Sequence, residues 1–287
     1  MLAVGLSTNR MSRSHAVGGV CGRMAGDLVG FRKLVVCGRE IICDSLGSVS
    51  IMDISSAIFE CSAPDLDSCP DEALPEFAFI GRSNVGKSSL LNVLAGKDGL
   101  ARVSPTPGFT KLINMFTMNK TWRLVDLPGY GFAAGSRKDT TKFNKAVIHY
   151  LKRRPNLRCV FALIESALPP QDIDLEFIEW LTRNAVPYVI VFTKMDKVTP
   201  TVAQENMAAF LERIAPWFEK LPVTFTCSAT TGNGRAELLN VIGELLAAAP
   251  PEPDPETAVE PKELPFRTVN QLARANRKRR PDLNRPW

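Results

Sequence analysis

The segment Gly81–Ser88 constrains this chain of 287 residues more than any other feature of its sequence. It fits the pattern G-x-x-x-x-G-K-[S/T] with the residues Gly81, Arg82, Ser83, Asn84, Val85, Gly86, Lys87 and Ser88. The apolar run Glu76–Ile80 before it predicts a buried strand, and Lys87–Leu94 has helical spacing. A glycine-rich turn between strand and helix lets backbone N–H groups close around phosphate oxygens, which the helix N-terminus also attracts. The segment therefore predicts a phosphate-binding loop.

Two side chains of this loop and a second motif extend the prediction to a divalent cation. Lys87 can bridge the β- and γ-oxygens of a nucleotide, and Ser88 can hold Mg²⁺. The second motif is Asp126, Leu127, Pro128 and Gly129, directly after the predicted strand Trp122–Val125. At a strand end Asp126 can hold Mg²⁺ through water, while Gly129 leaves its N–H free for a γ-phosphate. This D-x-x-G pattern is a weak signal alone and gains weight from its place after the phosphate loop.

A third motif predicts which base is bound. Thr193, Lys194, Met195 and Asp196 end the most apolar predicted strand, Val186–Phe192. Asp196 can accept hydrogen bonds from guanine N1–H and N2–H₂, two donors that adenine lacks, and the stem of Lys194 can pack on the base. Asn is the usual first residue of this motif, so we expect a weaker or different contact from Thr193. Cys227, Ser228 and Ala229 follow the next predicted strand, where a small residue lets a backbone N–H reach guanine O6.

The stretch Thr106–Thr110 offers a further Mg²⁺ ligand. A threonine in this loop, before the predicted strand Lys111–Met118, can complete the Mg²⁺ shell and sense the γ-phosphate. Thr106 and Thr110 both qualify by their spacing.

The order of predicted elements indicates an α/β fold. Strands are predicted at Glu76–Ile80, Lys111–Met118, Trp122–Val125, Arg158–Ile164, Val186–Phe192 and Val223–Cys227, and helices at Lys87–Leu94, Thr141–Arg154, Asp172–Asn184, Thr201–Phe218 and Ala236–Ala248. Continuous apolar strands are typical of parallel sheets, so we predict a mostly parallel sheet with helices on both faces. This domain spans residues 52–249. Residues 1–51 are predicted to be a poorly ordered extension, from a misassigned start or a weak transit peptide.

Composition excludes several classes of protein. Hydrophobic residues make up 45% of the chain, which excludes wholesale disorder, and no apolar run is long enough to predict a membrane span. Seven cysteines without a C-x-x-C pair, beside only two histidines, argue against a zinc site. Residues 250–287 combine a proline-rich linker with a basic tail: residues 262–287 hold eight basic and two acidic side chains. Such a tail can contact a polyanion such as RNA, or it can simply be solvated.

Taken in order, these motifs resemble those of translation-factor-class GTPases. More narrowly, Gly81–Asn92 and Asp126–Ala133 resemble the EngB family (also called YihA or YsxC), and the resemblance covers about residues 54–248. It implies a P-loop NTPase fold of the Ras-like type, bound GTP or GDP, and Mg²⁺ held by Ser88 and Thr110. It also implies nucleotide contacts from Gly108, Phe109, Thr110, Lys111 and Leu112. Phe109 departs from the basic residue usual before this threonine, and Leu163–Ala167 departs from an Asp-x-Arg pattern.

The resemblance implies a GTPase that acts in assembly of the large ribosomal subunit, in a family described as necessary for cell division and septation. Ras-like enzymes orient water with Gln at the position of Tyr130, which has no amide. We therefore expect slow hydrolysis by a site with Lys87, Thr110 and Asn84 in catalytic roles. Asn84 would help to hold K⁺, as the equivalent residue does in related GTPases.

Three functions remain open at the level of sequence. The first is a GTP-hydrolysing switch on a precursor of the large subunit, and the second is a GTP-stabilised scaffold at the division site. A phosphotransferase is less favoured, because Asp196 and the missing acceptor-binding lid argue against it. We expect a monomer in the bacterial cytoplasm, or in an organelle matrix if residues 1–51 are a transit peptide.

Overall fold

The computed structural model describes residues 32–36, 39–43, 52–102, 112–131 and 137–248. Its strands are β1 (Arg32–Val36), β2 (Arg39–Cys43), β3 (Ala57–Ala63), β4 (Glu76–Gly81), β5 (Ile113–Met118), β6 (Trp122–Asp126), β7 (Leu157–Glu165), β8 (Tyr188–Thr193) and β9 (Thr224–Thr226). Its helices are α1 (Lys87–Ala95), α2 (Arg137–Arg153), α3 (Asp172–Arg183), α4 (Pro200–Ile214) and α5 (Arg235–Ala247), with 3-10 turns at Met195–Lys197 and Ala215–Trp217.

Seven strands form one sheet in the order β3-β5-β6-β4-β7-β8-β9. The pairs β4–β6, β4–β7, β7–β8 and β8–β9 are parallel, whereas β5 runs antiparallel to both β3 and β6. The prediction of a mostly parallel α/β sheet is confirmed. Because β4 lies between β6 and β7, the loops that follow these three strands meet at one edge of the sheet.

Two apolar cores cover the two faces of the sheet. Successive residues of β4 alternate between them: Phe77 and Phe79 belong to the core with α1 and α5, and Ala78 and Ile80 belong to the core with α2, α3 and α4. All six residues of β4 are buried, as a strand with helices on both faces must be. The predicted helices on both faces are therefore present.

Strand β3 and the hairpin of β1 and β2 are not among the predicted elements. The pairing of β3 with β5 shifts register between Phe59 and Cys61, so the alternation of buried and exposed residues that identifies a strand is broken. The hairpin pairs Val36 with Arg39 within the region expected to have weak order. The rest of residues 1–51, apart from β1 and β2, lies outside the described residues.

The fourth helix is shorter than predicted. The spacing of apolar residues predicted a helix over Thr201–Phe218, but α4 ends at Ile214 and a 3-10 turn follows at Ala215–Trp217. Pro216 explains the difference, because its ring has no N–H and clashes with the carbonyl four residues earlier in an α-helix.

Charged side chains form a network around the buried Arg123 and Glu76 at the amino ends of the parallel strands. Arg123 of β6 is fully buried, and its guanidinium donates to both oxygens of Glu60 at 2.7 and 2.8 Å and to Glu72 at 2.9 Å. Glu76 of β4 accepts from Arg154 at 2.6 Å and from the hydroxyl of Tyr150 at 2.7 Å. Arg123 and Glu76 lie 3.6 Å apart and join the two halves. We call Glu60, Glu72, Glu76, Arg123, Tyr150 and Arg154 the amino-end network.

Candidate nucleotide site

The predicted phosphate loop connects β4 to α1 at the carboxyl edge of the sheet. Gly86 has φ 99° and caps α1, and Asn84 has φ 67°. Both values lie in the left-handed region, which Gly adopts freely and Asn adopts more readily than most residues. Lys87 is the first residue of α1 and half-buried Ser88 the second, so their N–H groups are among those at the helix N-terminus that have no carbonyl partner within the helix. The backbone N–H groups of this loop and of the first turn of α1 are therefore placed to bind an anion.

Lys87 and Asp126 meet beside this loop. Asp126 ends β6, the neighbour of β4, and its carboxylate forms an ion pair with the buried ammonium of Lys87. An ammonium suits phosphate oxygens, and a carboxylate beside a hydroxyl suits Mg²⁺, which prefers hard oxygen ligands. The residues present thus fit a nucleotide with Mg²⁺. Of the two predicted Mg²⁺ ligands, Ser88 lies next to Lys87, and Thr110 falls outside the described residues together with Gly108, Phe109 and Lys111.

The D-x-x-G turn lies against the phosphate loop. The N–H of Tyr130 donates to the carbonyl of Gly81 at 3.1 Å, and the N–H of Ser83 donates to the carbonyl of Tyr130 at 3.2 Å. A Cβ at Gly129 would lie 2.9 Å from the carbonyl oxygen of Gly81, so only glycine fits this approach. Pro128 and Leu127 connect Gly129 to Asp126, and the N–H of Leu127 donates to Phe79 at 3.1 Å. The two motifs predicted to hold phosphate and Mg²⁺ therefore form one structural unit.

Thr193 makes a different contact, as expected from its departure from Asn. Its hydroxyl lies 2.7 Å from the carbonyl oxygen of Val85, to which it donates, and 3.3 Å from that of Ile164. Lys194 follows with φ 60°, and its Cγ and Cε lie 3.9 Å from the point where a Cβ on Gly86 would be. The predicted base-reading segment, Thr193–Asp196, is thus tied to the phosphate loop by a hydrogen bond and by the stem of Lys194.

Asp196 lies beside the segment that follows β9. The hydroxyl of Ser228 donates to Asp196 Oδ1 at 2.7 Å, and this hydrogen bond is the main cause that holds the pKa of the Asp196 carboxyl below its usual range. The N–H of Met195 donates to the carbonyl of Cys227 at 3.4 Å. Thr193, Lys194, Met195 and Asp196 are therefore brought together with Cys227, Ser228 and Ala229. An ionised carboxylate is the state that the predicted pairing with guanine requires.

Three further residues of this edge were missed by sequence reasoning. Glu165, which ends β7, forms an ion pair with Lys194 at 2.9 Å, and the hydroxyl of Ser166 donates to the carbonyl of Thr193 at 2.7 Å. The stretch that departs from the Asp-x-Arg pattern therefore contacts Thr193 and Lys194 of the predicted base-reading segment. Asp174 of α3 binds Arg82 and Tyr130. Acidic residues are common in the first turn of a helix, so the position of Asp174 in the sequence did not predict this contact.

Two negative findings apply to the described part of the chain. Within it no group of three or more His, Cys, Asp or Glu side chains is arranged to hold a metal ion. No helix within the same ranges has the length and apolar character that crossing a bilayer demands.

Comparison with known proteins identifies the class and then the family. A family model described as 50S ribosome-binding GTPase matches residues 76–194, which contain the phosphate loop, the D-x-x-G turn and Thr193. The chain is 46% identical over 194 residues to the probable GTP-binding protein EngB of Phocaeicola vulgatus, covering 68% of this chain and 97% of that protein. It is 47% identical over 191 residues to the EngB protein of Bacteroides fragilis, covering 67% of this chain and 95% of that protein.

A solved structure is similar as well. The crystal structure of a probable GTP-binding protein EngB is 25% identical, with a TM-score of 0.47, and the match covers 60% of this chain and 98% of that one. From the identities and coverage of its relatives, this chain belongs to the EngB family of GTP-binding proteins within the ribosome-binding GTPases. The resemblance drawn from the motifs is confirmed.

Proposed function

We propose that this GTPase is a switch in the assembly of the large ribosomal subunit. In its GTP form it binds a precursor particle, and slow hydrolysis to GDP and phosphate releases it. The observation that carries the proposal is the meeting of Lys87, Asp126 and Asp196 at one edge of the sheet, in a chain of the ribosome-binding GTPase family. In this arrangement the residues that bind the phosphates, the Mg²⁺ and the base are coupled through the phosphate loop.

Each side chain of the site has a role in this function. Lys87 and the N-terminus of α1 bind the phosphates, while Ser88 and Thr110 hold Mg²⁺ directly and Asp126 holds it through water. When bound, Mg²⁺ neutralises charge on the β- and γ-phosphate oxygens. Asp196 accepts from guanine N1–H and N2–H₂, Lys194 lies along the base, and a backbone N–H of Cys227, Ser228 or Ala229 reaches guanine O6.

The slow rate follows from the residue after the D-x-x-G glycine. The hydroxyl of Tyr130 donates to Asp174 at 3.0 Å, so this side chain is engaged inside the protein and offers no amide to orient water. An extra cation near the β–γ bridge would then speed hydrolysis by neutralising the charge that develops there. We propose that Asn84 helps to hold K⁺ for this purpose, or that the ribosomal particle supplies the missing group.

We further propose a partner and a cellular location for the protein. The basic tail, residues 262–287, contacts RNA of the particle, and the protein acts as a monomer in the bacterial cytoplasm. If residues 1–51 are a transit peptide, the setting is an organelle matrix. The second candidate function is a GTP-stabilised scaffold at the division site, in which hydrolysis has no role.

Two measurements test the switch. The protein is sedimented with salt-washed large subunits in a non-hydrolysable GTP analogue or in GDP, and GTP turnover is measured with and without the subunits. The switch requires co-sedimentation that depends on the analogue and turnover that rises with large but not with small subunits. Equal binding in both nucleotides, with turnover unchanged, would favour the scaffold.

A truncated chain tests the tail. Phosphate contacts make binding fall with salt, by a slope of about −0.7 in log–log terms for each single-strand phosphate neutralised. Without residues 262–287 the salt slope of subunit binding should flatten while GTP affinity stays unchanged. An unaltered slope would exclude the tail from the RNA contact.

A further inference from the structure

Three polar side chains from three segments meet beside the phosphate loop. Arg82 comes from the loop itself, Tyr130 follows the D-x-x-G glycine, and Asp174 lies in the first turn of α3. The Nε of Arg82 donates to both carboxylate oxygens of Asp174, at 3.1 and 2.9 Å. The hydroxyl of Tyr130 donates to Asp174 Oδ1 at 3.0 Å. One carboxylate therefore binds both motifs that form the phosphate end of the site.

This cluster is largely shielded from water. The side chain of Asp174 is 1% exposed and Tyr130 is 5% exposed. The Tyr130 ring packs on Phe177, one turn further along α3, with 4.6 Å between ring centroids. A buried carboxylate needs partners, because an unpaired charge in such a place is costly. Arg82 and Tyr130 supply those partners, so their positions and that of Asp174 depend on one another.

The same two residues are also joined through their backbones. Arg82 pairs with Tyr130 in a parallel bridge, with hydrogen bonds to Tyr130 from Ser83 and from Tyr130 to Gly81. Gly129, which precedes Tyr130, fits against Gly81 so closely that no side chain is tolerated. A shift of Tyr130 therefore moves Gly129 relative to the phosphate loop.

We propose that Asp174 is a positioning residue of the GTPase site, which fixes the Gly129–Tyr130 turn against the phosphate loop so that the Gly129 N–H can reach a γ-phosphate. The inference rests on the proposed function in one respect, the contact between Gly129 and the γ-phosphate. GDP has no γ-phosphate, so loss of this positioning weakens GTP binding and hydrolysis and spares GDP binding. A general structural role would affect both nucleotides alike.

The ionisation of Asp174 gives a second way to disturb the cluster. Burial, and to a smaller degree the charge of Glu165, raises the pKa of its carboxyl to about 6 against the opposing effects of Arg82 and Tyr130. The ionised form binds Arg82 and Tyr130 best. As the pH falls through about 6 the carboxyl becomes neutral, and its ion pair with Arg82 is lost. Protonation thus mimics the substitution Asp174→Asn.

The experiment compares Asp174→Asn with Asp172→Asn. The control removes the same charge from the same helix turn at a side chain that is 67% exposed and pairs with Arg213 at the surface. Affinities for GDP and for a non-hydrolysable GTP analogue are measured with the full chain, and GTP hydrolysis is followed from pH 5 to 8. Since small misplacements in a site have large effects, Asp174→Asn should lower analogue affinity and turnover by about tenfold, with GDP affinity within about twofold.

The pH profile and a second variant complete the test. Native protein should lose turnover as the pH falls through about 6. Asp174→Asn should lack this step, and Asp172→Asn should keep it. Tyr130→Phe keeps the ring on Phe177 and removes only the hydroxyl. It should show the same preference for GDP to a smaller degree, and it carries the test if Asp174→Asn does not fold.

Equal losses of GDP and analogue affinity, or none, would overturn the positioning role. This result is separate from a failure of the proposed function. Native protein that does not bind large subunits or hydrolyse GTP would contradict the switch, whereas the ratio of the two affinities would still decide the role of Asp174.

Discussion

The two ends of the parallel strands both contain buried ion pairs, but the pairs differ in their surroundings. At the amino end, Arg123 is held by Glu60, Glu72 and Glu76 through several hydrogen bonds from a regular strand. At the carboxyl end, Lys87 pairs with Asp126 beside a loop whose backbone is left-handed at Asn84 and Gly86. The charged side chains at the amino end therefore pair with one another and connect segments of this chain.

This difference indicates which end of the sheet has the capacity to bind a ligand. A guanidinium whose donors all point at carboxylates and carbonyls has no capacity left for a ligand. Unusual backbone conformations persist only where the surrounding structure holds them, and they cluster at binding sites. We therefore expect substitutions at the amino end to lower stability without changing nucleotide preference, and substitutions at the carboxyl end to change nucleotide binding.

The largest effect is expected from Asp196→Asn at the carboxyl end. The amide keeps one acceptor for guanine N1–H but turns an NH₂ donor towards the N2 amine, and two facing donors are costly. Xanthine carries a carbonyl there, so the variant should prefer XTP. Sites built on such pairing discriminate by up to about 10⁴–10⁵. Competition of GTP, XTP and ATP against a fluorescent diphosphate measures the change, with Asp172→Asn as the matched control.

Lys87 and Ser88 are unchanged in the Asp196 variant, so nucleotide binding as a whole should persist. If Asp196→Asn still prefers GTP to XTP, Asp196 is not the base reader. A loss of folding stability without a change of preference would place Asp196 with the structural charges and break the comparison.

The second-largest effect, a loss of folding stability, is expected from Arg123→Met at the amino end. The substitution leaves the half-buried Glu60 without its cation and removes the nearby charge of Arg123 from the buried Glu76, which keeps Arg154. Breaking a buried ion pair in this way costs up to about 3–5 kcal/mol in the free energy of unfolding. Urea unfolding measures the loss. The control is Arg183→Met, whose surface ion pair with Glu179 contributes less than about 1 kcal/mol. The preference for GTP over ATP should stay unchanged in both variants, and a shift in it would show that the two ends are coupled.

The third prediction concerns K⁺. Hydrolysis by the native protein should be about tenfold faster in K⁺ than in Na⁺ at equal ionic strength, because a second cation offsets charge in the transition state. Asn84→Gly removes the amide and still accepts φ 67°, so it should abolish the difference without straining the loop. Equal rates of the native protein in both salts would reject the proposal.

The smallest effect is expected from Thr193→Val. The two side chains have nearly the same shape, but Val cannot donate to the carbonyl of Val85, and an unmade buried hydrogen bond costs about 1 kcal/mol or more. Affinities for GTP and GDP should therefore fall together by about fivefold. Calorimetric titration of both nucleotides measures this. Thr182→Val removes a hydroxyl that is bonded to Ile178 within α3 and to the hydroxyl of Tyr188 in β8, and it should leave both affinities unchanged.

The sequence by itself determined the fold class and placed the candidate site at the ends of particular predicted strands. Glu76–Ile80 and Val186–Phe192 are continuous apolar runs, and only a strand covered on both faces buries such a run. The phosphate loop could be predicted because its geometry depends on the conformation of Gly86 and on the helix that begins at Lys87. Both are local properties of the chain. The proximity of the D-x-x-G motif and of Thr193–Asp196 to this loop could be predicted because the carboxyl ends of parallel strands meet at one edge.

Only the tertiary structure decided the contacts between distant side chains. Thr193 is 108 residues from Val85, and Asp174 is 92 residues from Arg82. Neither contact leaves a periodic signal, because each depends on which strands are neighbours and on how a helix is rotated. Strand β3 was hidden for the same reason: its Glu60 is tolerated in the sheet because Arg123, 63 residues away, donates to it. Partners of buried polar groups are thus set by packing.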